Sequence, residues 1–430
     1  MTKPLKIAVA GLGTVGAGTL KLLNDKADLL TLRAGRQLQV TAVSARNRNM
    51  DRGVDISDIQ WFDDAVEMAR GANADVVVEL IGGSDGAAKA VCETAFETGR
   101  HVVTANKALL AHHGTTLAMK AETANVSLAF EAAVAGGIPV IRALREGLAG
   151  NQITRLHGIL NGTCNYILTT MRETGRDFAD VLAEAQQLGY AEADPAFDID
   201  GVDAAHKLAL LSSVAFGSRV DFAGVYTEGI SQIAAMDIEY AEELGYRIKL
   251  LGIAEMNREG IHQRVHPAMV PIGVPIAAVE GVFNAVVTEG DYVGTTVLEG
   301  RGAGAGPTAS AVVGDLVDIA CGRRTPTFGV PARALASIPS LPMDHHTGPY
   351  YVRLMVIDKP GVFADIAATL RDAKISFESV LQRSREPGGV VPVVLTTHET
   401  SEAAMQRALA AIEAIEAVRE PPHMIRIERN

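Results

Sequence analysis

Cysteine is scarce in this chain: Cys92, Cys164 and Cys321 are the only three in 430 residues. They stand far apart, which excludes a disulfide framework or a Cys-rich zinc site and suits a reducing compartment. Positive charge is in deficit too, with 39 Lys and Arg against 51 Asp and Glu, a net −12. That balance excludes nucleic acid and anionic membrane as partners, since both need a basic surface. No apolar run is long enough to span a bilayer and no signal peptide precedes the first strand. A cytoplasmic protein working on small molecules is the expectation, and the length predicts two or three domains.

What the chain does have begins at its N-terminus. KIAVAGLGTVGAGTL is an apolar strand over Ile7 to Ala10, then Gly11, Gly13 and Gly16 in GxGxxG spacing, then a helix. In a dinucleotide-binding turn these glycines permit, in order, the tight turn, the approach of the pyrophosphate, and close helix–strand packing. Strand-like runs follow at 40–45, 75–82, 101–106 and 126–134, with a helix over 87–98. Such near-continuous apolar strands predict a doubly wound parallel sheet. After the second strand, where an acidic residue would hold the ribose hydroxyls of NAD, stand Ser44, Arg46, Asn47 and Arg48. Arg46 suits a 2′-phosphate and inclines the reading to NADP, with NAD and solvated loop arginines as alternatives.

Two more loops leave strand ends, where open α/β sheets place ligands. TANKALL carries Asn106 and Lys107, and Lys107 is either a surface lysine or a neighbour of the nicotinamide. FEAAVAGGIPVI carries Glu131, Gly136, Gly137 and Pro139, which reads either as a plain exit turn or as a carbonyl-lined turn for a hard cation.

AQQLGYAEADPAFDIDGVDAAHK, residues 185–207, is the most informative stretch. It crowds Glu192, Asp194, Asp198, Asp200 and Asp203 into a broken loop and opens a helix with Lys207 one turn after Asp203. Crowded carboxylates need a cationic partner, and a small molecule bearing an ammonium group fits. Lys207, on the same helical face as Asp203, is placed to act on an oxygen of that molecule. A surface i,i+4 pair is the plainer alternative, weakened by the following LALLSSVAF, which predicts a buried helix. DIDG resembles part of a calcium loop, but its glycine is too early and the closing glutamate is missing.

From about 138 to 300 the pattern is mixed, with ITRLHGIL, MVPIGVPIAAV and FNAVVTEG reading as strands of a second sheet. NGTCNYIL leads from a strand into a helix, and the Gly-rich run from Gly300 starts another helix that returns to the cofactor domain. Prolines at 326, 331, 339, 342 and 349 mark a linker. Beyond it a βαββαβ order predicts a ferredoxin-like fold with no catalytic constellation.

These motifs together resemble the monofunctional homoserine dehydrogenase family with a C-terminal ACT domain, over essentially the whole length. The pattern running from Ala185, Gly189 and Tyr190 through Asp194, Pro195, Asp198, Gly201 and Asp203 to Lys207 carries the resemblance, with GLGTVG, TANKAL, FEAAVAGGIP, NGTCNYIL and GAG…PTAS in the family's order. The fold class so implied is α/β: a Rossmann nucleotide-binding domain at 1–137 plus 301–325, an α+β substrate and dimerisation domain at 138–300, a linker at 326–348 and an ACT regulatory domain at 349–430.

The resemblance implies reversible NAD(P)H-dependent reduction of L-aspartate 4-semialdehyde to L-homoserine, on the route to threonine, methionine and isoleucine. It implies Lys207 and Lys107 as catalytic residues and Glu192, Asp198 and Asp203 as ligands of the substrate. Cofactor contacts fall on Ala10, Gly11, Leu12, Gly13, Thr14, Val15, Gly16, Ala17, Lys107 and Gly304. A structural sodium or similar monovalent ion maps onto Glu131 and the backbone at Val134, Gly136 and Ile138. Threonine is the implied effector, near Gly361 of DKPGVF, in a homodimer or homotetramer. Removal of the chain after about Pro342 is then expected to leave activity and abolish threonine inhibition.

Two competing readings stay open at this point. Aspartate-semialdehyde dehydrogenase shares the metabolite but needs a thiol nucleophile, for which Cys164 is the candidate. A catalytically silent NADP- and amino-acid-sensing regulator would use the same folds without chemistry.

Overall fold

Alternating apolar strands and helices in the first 130 residues build a parallel sheet, as the computed structural model, which describes residues 2–383 and 385–429, shows. Its elements are β1 (Leu5–Ala10), α1 (Thr14–Asp25), α2 (Ala27–Ala34), β2 (Leu38–Ser44), β3 (Gln60–Phe62), α3 (Ala65–Gly71), β4 (Val76–Glu79), α4 (Ala87–Glu97), β5 (His101–Thr104), α5 (Lys107–Thr123) and β6 (Leu128–Ala129). The strand order is β3-β2-β1-β4-β5-β6, all pairs parallel. It reverses between β1 and β4, which opens the ligand crevice of a doubly wound sheet at the carboxyl ends of those strands. Ile7, Val9, Val77 and Val102 are fully buried because helices cover both faces.

The run 126–134 was expected as one strand, and only Leu128–Ala129 pairs. Glu131–Ala133 turns into a 3-10 helix instead. Alanine-rich FEAAVAGG has little β propensity, and positive φ at Ala135 and Gly136 bends the chain out of the sheet.

The second domain follows with α6 (Val140–Arg142), β7 (Ile153–Ile159), α7 (Gly162–Thr174), α8 (Phe178–Gln187), α9 (Ala196–Ile199), α10 (Val202–Phe216), β8 (Val225–Thr227), α11 (Ala235–Glu243), β9 (Tyr246–Met256), β10 (Ile261–Pro271), β11 (Phe283–Gly290) and β12 (Gly294–Arg301). The strand expected in MVPIGVPIAAV is a second correction. Strand β10 ends at Pro271, and Pro275–Ala278 forms a 3-10 turn. Two prolines deny that segment the N–H groups a ladder needs.

Helix α12 (Ala305–Ala320) then returns to the first domain and lies against α1. Val312, Val313, Leu316 and Ile319 join Leu5, Val9, Leu20 and Leu23 in one buried cluster.

The Pro-rich stretch 326–348 is packed rather than free. Phe328 stacks on Phe130 at 5.3 Å, and backbone bonds tie Ala336 to Gly217 and Leu341 to Ile261. It ends in β13 (Thr347–Gly348), followed by β14 (Tyr350–Ile357), α13 (Val362–Asp372), β15 (Phe377–Leu381), β16 (Val390–Thr397), β17 (Thr400–Ser401), α14 (Glu402–Glu413) and β18 (His423–Ile427), the expected ferredoxin-like order.

The C-terminal module is not a separate body on a tether. Strand β18 pairs in parallel with β10, Ala268 opposite Arg426, so that both domains share a sheet ordered β12-β11-β7-β9-β10-β18-β14-β16-β15.

Candidate active site

The end of the acidic stretch folds inward, onto the edge of the cofactor sheet: Asp203 is buried and Asp198 half-buried, while Glu192, Asp194 and Asp200 stay exposed. Gly201 caps α10 in the left-handed region at φ 84°, where a side chain would crowd Val265 and Thr227 at 3.1 Å. Helix α10 then buries all but one of its residues from Asp203 onward, which removes the surface-pair reading of Asp203 and Lys207.

Asp203 is the hub. Its Oδ2 accepts from Lys207 Nζ at 2.7 Å and from Asn161 Nδ2 at 2.8 Å, while Oδ1 meets Lys107 Nζ at 3.0 Å. Lys207 also donates to the Leu160 carbonyl at 2.6 Å. An ammonium group has three N–H bonds, so one remains for a ligand. Lys107 opens α5 at the carboxyl edge of β5, its side chain one third exposed.

Charge and burial oppose each other in this triad. Burial works to raise the Asp203 carboxyl, but the ammonium groups of Lys207 and Lys107 overcome it and hold Asp203 well below the usual carboxylate range. Burial pulls Lys207 down, helped by the like charge of Lys107 and resisted by Asp203. Burial also works against the Lys107 ammonium, but Asp203, Asp198 and Glu192 together raise it. The two lysines thus have pKa values pushed apart, the arrangement that separates proton donor from fixed charge.

Asn161, which the sequence reading passed over inside NGTCNYIL, is a member of this site. Its Nδ2 donates to both Asp203 and Asp198 at 2.8 Å, and its Oδ1 caps α7 by accepting from Cys164 N. An asparagine just after a strand and before a helix was the available signal. Burial and the Asp203 charge raise the Asp198 carboxyl, with Asn161 opposing. Glu192 is exposed, and its charge reaches Lys107. Expected as a grip for a substrate ammonium, Asp203 has both oxygens committed to lysines and Asn161. Glu192 and Asp198 are the carboxylates left for that task.

His206, also unnoticed in the sequence, is buried beside Lys207 against Phe222 at 4.3 Å and Phe197 at 5.5 Å, and burial pushes its pKa down to about 4. Cys164 is fully buried, its Sγ 3.2 Å from the Asp198 carbonyl, and burial raises its thiol. A neutral buried thiol is no nucleophile, which removes the basis of the thioester reading.

The glycine-rich turn fits a dinucleotide. A Cβ on Gly11 would stand 2.4 Å from the Leu80 carbonyl and one on Gly16 2.1 Å from that of Gly11, whereas one on Gly13 would meet open space. Open space at the second glycine, before a helix start with no side-chain cap, is a cradle for a pyrophosphate. Ala10 ends β1, and Leu12, Thr14, Val15 and Ala17 form the turn and first helical residues around it. Arg46 is exposed just past β2, free of ion pairs among the described residues. Arg52, missed in the sequence, donates to the Leu12 carbonyl at 3.2 Å and ties that loop to the turn. Gly304 caps α12 at φ 112°. Glu79, buried at the end of β4, accepts from Ile81 N and Thr104 Oγ1 and shapes the crevice wall.

The cation expectation fits less well. The Glu131 carboxylate accepts from the backbone N–H of Ile141 and of Arg142, both at 2.9 Å, so it caps α6 instead of facing an open site. The carbonyls of Glu131 and Ile138 accept from Val134 and Val140, which leaves those of Val134 and Gly136 unpaired among the described residues.

Comparison with known proteins gives three family matches: homoserine dehydrogenase over residues 139–317, the homoserine dehydrogenase NAD-binding domain over 11–131, and the ACT domain over 350–417. The chain is 48% identical to homoserine dehydrogenase of Pseudomonas aeruginosa and 46% to that of Neisseria gonorrhoeae, covering 99% of this chain and of each relative. A solved homoserine dehydrogenase from Thiobacillus denitrificans superposes with a TM-score of 0.93 at 46% identity, over 99% of both chains. A hyperthermophilic archaeal homoserine dehydrogenase in complex with NADPH matches 76% of this chain and all of its own at 26% identity, with a TM-score of 0.65.

Proposed function

The chain belongs to the homoserine dehydrogenase family, oxidoreductases that act on a CH–OH group with a nicotinamide cofactor, and from that membership we propose that it reversibly reduces L-aspartate 4-semialdehyde to L-homoserine. The observation that carries the reading is the ion triad Lys107–Asp203–Lys207, which joins the cofactor sheet to the acidic loop.

A bound NAD(P)H supplies the hydride to the aldehyde carbon. As that carbon is reduced its oxygen gains negative charge, and the free N–H of Lys207 is placed to stabilise it and give it a proton. Burial makes that proton easier to release, while ionised Asp203 keeps Lys207 charged until the oxygen calls for it. Lys107, raised and one third exposed, keeps a fixed positive charge on the opposite side of Asp203. Asp198 and Glu192 hold the substrate's α-ammonium group, and Asn161 keeps Asp198 and Asp203 in register. Gly11 through Gly16 and Gly304 bind the dinucleotide, with Arg46 favouring a 2′-phosphate and hence NADP. The reading assigns no step to a monovalent cation.

Gly361 opens α13 at φ 98° on the exposed turn of the ACT module, and we place a threonine effector there in a homodimer or homotetramer. No helix among the described residues is long and apolar enough to cross a membrane, which accords with a cytoplasmic enzyme. Following NADPH oxidation with L-aspartate 4-semialdehyde, with and without threonine, tests reaction, cofactor and regulation together. Failure of the semialdehyde to support oxidation would remove the reading.

A further inference from the structure

The Glu79 carboxylate is fully buried at the carboxyl end of β4, forms no ion pair among the described residues and has no part in the reaction as proposed. Its two oxygens serve different segments. Oε1 accepts from the backbone N–H of Ile81 at 2.7 Å and of Gly82 at 3.3 Å, at the start of the glycine-rich loop 81–86. Oε2 accepts from the hydroxyl of Thr104 at 2.6 Å, the residue opposite Glu79 on β5.

From Thr104 the connection runs on to a catalytic lysine. The same hydroxyl oxygen accepts from Asn106 N at 2.9 Å. Asn106 caps α5: its Oδ1 accepts from Leu109 N at 3.0 Å, and its Nδ2 donates to the Gly83 carbonyl at 2.8 Å, which closes the circuit onto the 81–86 loop. Lys107 is the next residue, the first of α5, and its Nζ meets Asp203 at 3.0 Å. Glu79, Thr104 and Asn106 are all buried, so water does not compete for these bonds.

The circuit needs these residue types. Glu79 faces donors on both sides, and a carboxylate accepts without donating. Glutamine has one accepting and one donating end, so it would oppose a donor to a donor either at the loop or at Thr104. The threonine hydroxyl donates to Glu79 while accepting from Asn106, a relay that valine cannot make.

We propose that Glu79 is a positioning residue for the reaction: through Thr104 and Asn106 it sets the start of α5, and with it the place of the Lys107 ammonium beside Asp203. This rests on the roles given to the Lys107–Asp203–Lys207 triad. The charged groups facing Lys207 are Asp203 on its own helix, Lys107 from α5 and Asp198 from α9, with the Cys164 thiol and the His206 ring also near. The like charge of Lys107 helps to push Lys207 down. A displaced Lys107 therefore lets Lys207 keep its proton to higher pH.

Thr104→Val, Thr104→Ser and Glu79→Gln, compared with the unaltered chain in NADPH oxidation with L-aspartate 4-semialdehyde and in fluorescence titration with NADPH, test this. Inactivity of the unaltered chain would count against the reaction itself, whereas the variants test the circuit. Thr104→Val and Glu79→Gln should each lower kcat about tenfold and move the basic limb of kcat/KM to higher pH. NADPH affinity in Thr104→Val should stay within about twofold of the unaltered chain, and Thr104→Ser, which keeps the hydroxyl, should recover kcat to within about twofold. Equal losses in Thr104→Ser and Thr104→Val would make Thr104 a packing residue and overturn the proposal. So would an unshifted basic limb in Thr104→Val, with or without weaker NADPH binding, or an unchanged kcat in Glu79→Gln. If thermal melts show that Glu79→Gln does not fold, the two Thr104 variants decide by the same criteria.

Discussion

Lys107 and Asp203 lie 96 positions apart in sequence and on helices of different domains, yet their charged atoms meet at 3.0 Å. Because the other oxygen of Asp203 holds Lys207, this carboxylate fixes both lysines at one point of the crevice. The triad accounts for why Asp203 is buried while Glu192, Asp194 and Asp200 of the same acidic stretch stay in water.

Asp203→Asn tests that account. Removing the charge leaves Lys207 buried without a counter-ion, so its pKa should fall further, and the basic limb of the kcat/KM profile should move to lower pH. Turnover should drop about 100-fold or more, and stability by roughly 3–5 kcal/mol, as when one partner of a buried pair is lost. An unshifted pH profile would mean that Asp203 does not govern Lys207.

Asn161→Ala removes the amide that bridges Asp198 and Asp203. With both carboxylates less restrained, the KM for the semialdehyde should rise about tenfold while the KM for NADPH stays constant, as expected for a positioning residue. A fall in stability with no change in either KM would reduce Asn161 to a helix cap.

The seam between the substrate domain and the ACT module changes one expectation. Cutting the chain after about Pro342 was expected to leave activity, but it would strip β18 from β10 and take Glu428 from buried Arg264 and Arg155. The shortened protein should be destabilised by several kcal/mol and lose solubility or activity. Urea titration beside the intact chain reads this out, and an equally stable, fully active fragment would show that the shared sheet contributes little.

Acid should weaken the same region. Burial pushes His157 and His262 down to about 4 from an ordinary 6.5. In the unfolded chain these rings take up protons first, so their contribution to stability is complete above about pH 6.5 and is lost as pH falls towards 4, at most about 3 kcal/mol per ring. Thermal melts between pH 7 and 4.5 should show that slope, reduced in His262→Phe. Equal slopes in the two proteins would mean that His262 is not among the groups responsible.

Much of this was legible in the sequence where the signal was local. The glycine turn, the carboxyl-edge position of Lys107, the helix of Asp203 and Lys207 and the βαββαβ tail all follow from short-range spacing. Long-range facts were not legible: that Asp203 spends both oxygens on lysines and an asparagine, that Glu131 caps a helix, and that the tail extends the neighbouring sheet. Strands β9 and β12 went unread, and MVPIGVPIAAV was misread, because apolar content without a clean period does not separate strand from turn.

In the proposed reaction the proton transfer falls to Lys207. Lys207→Met keeps the buried stem and removes the proton donor. In steady-state oxidation of NADPH with L-aspartate 4-semialdehyde, kcat should fall about 100-fold or more while NADPH affinity stays as in the unaltered chain. Turnover within a few-fold of that chain would contradict the assignment of proton transfer to this lysine.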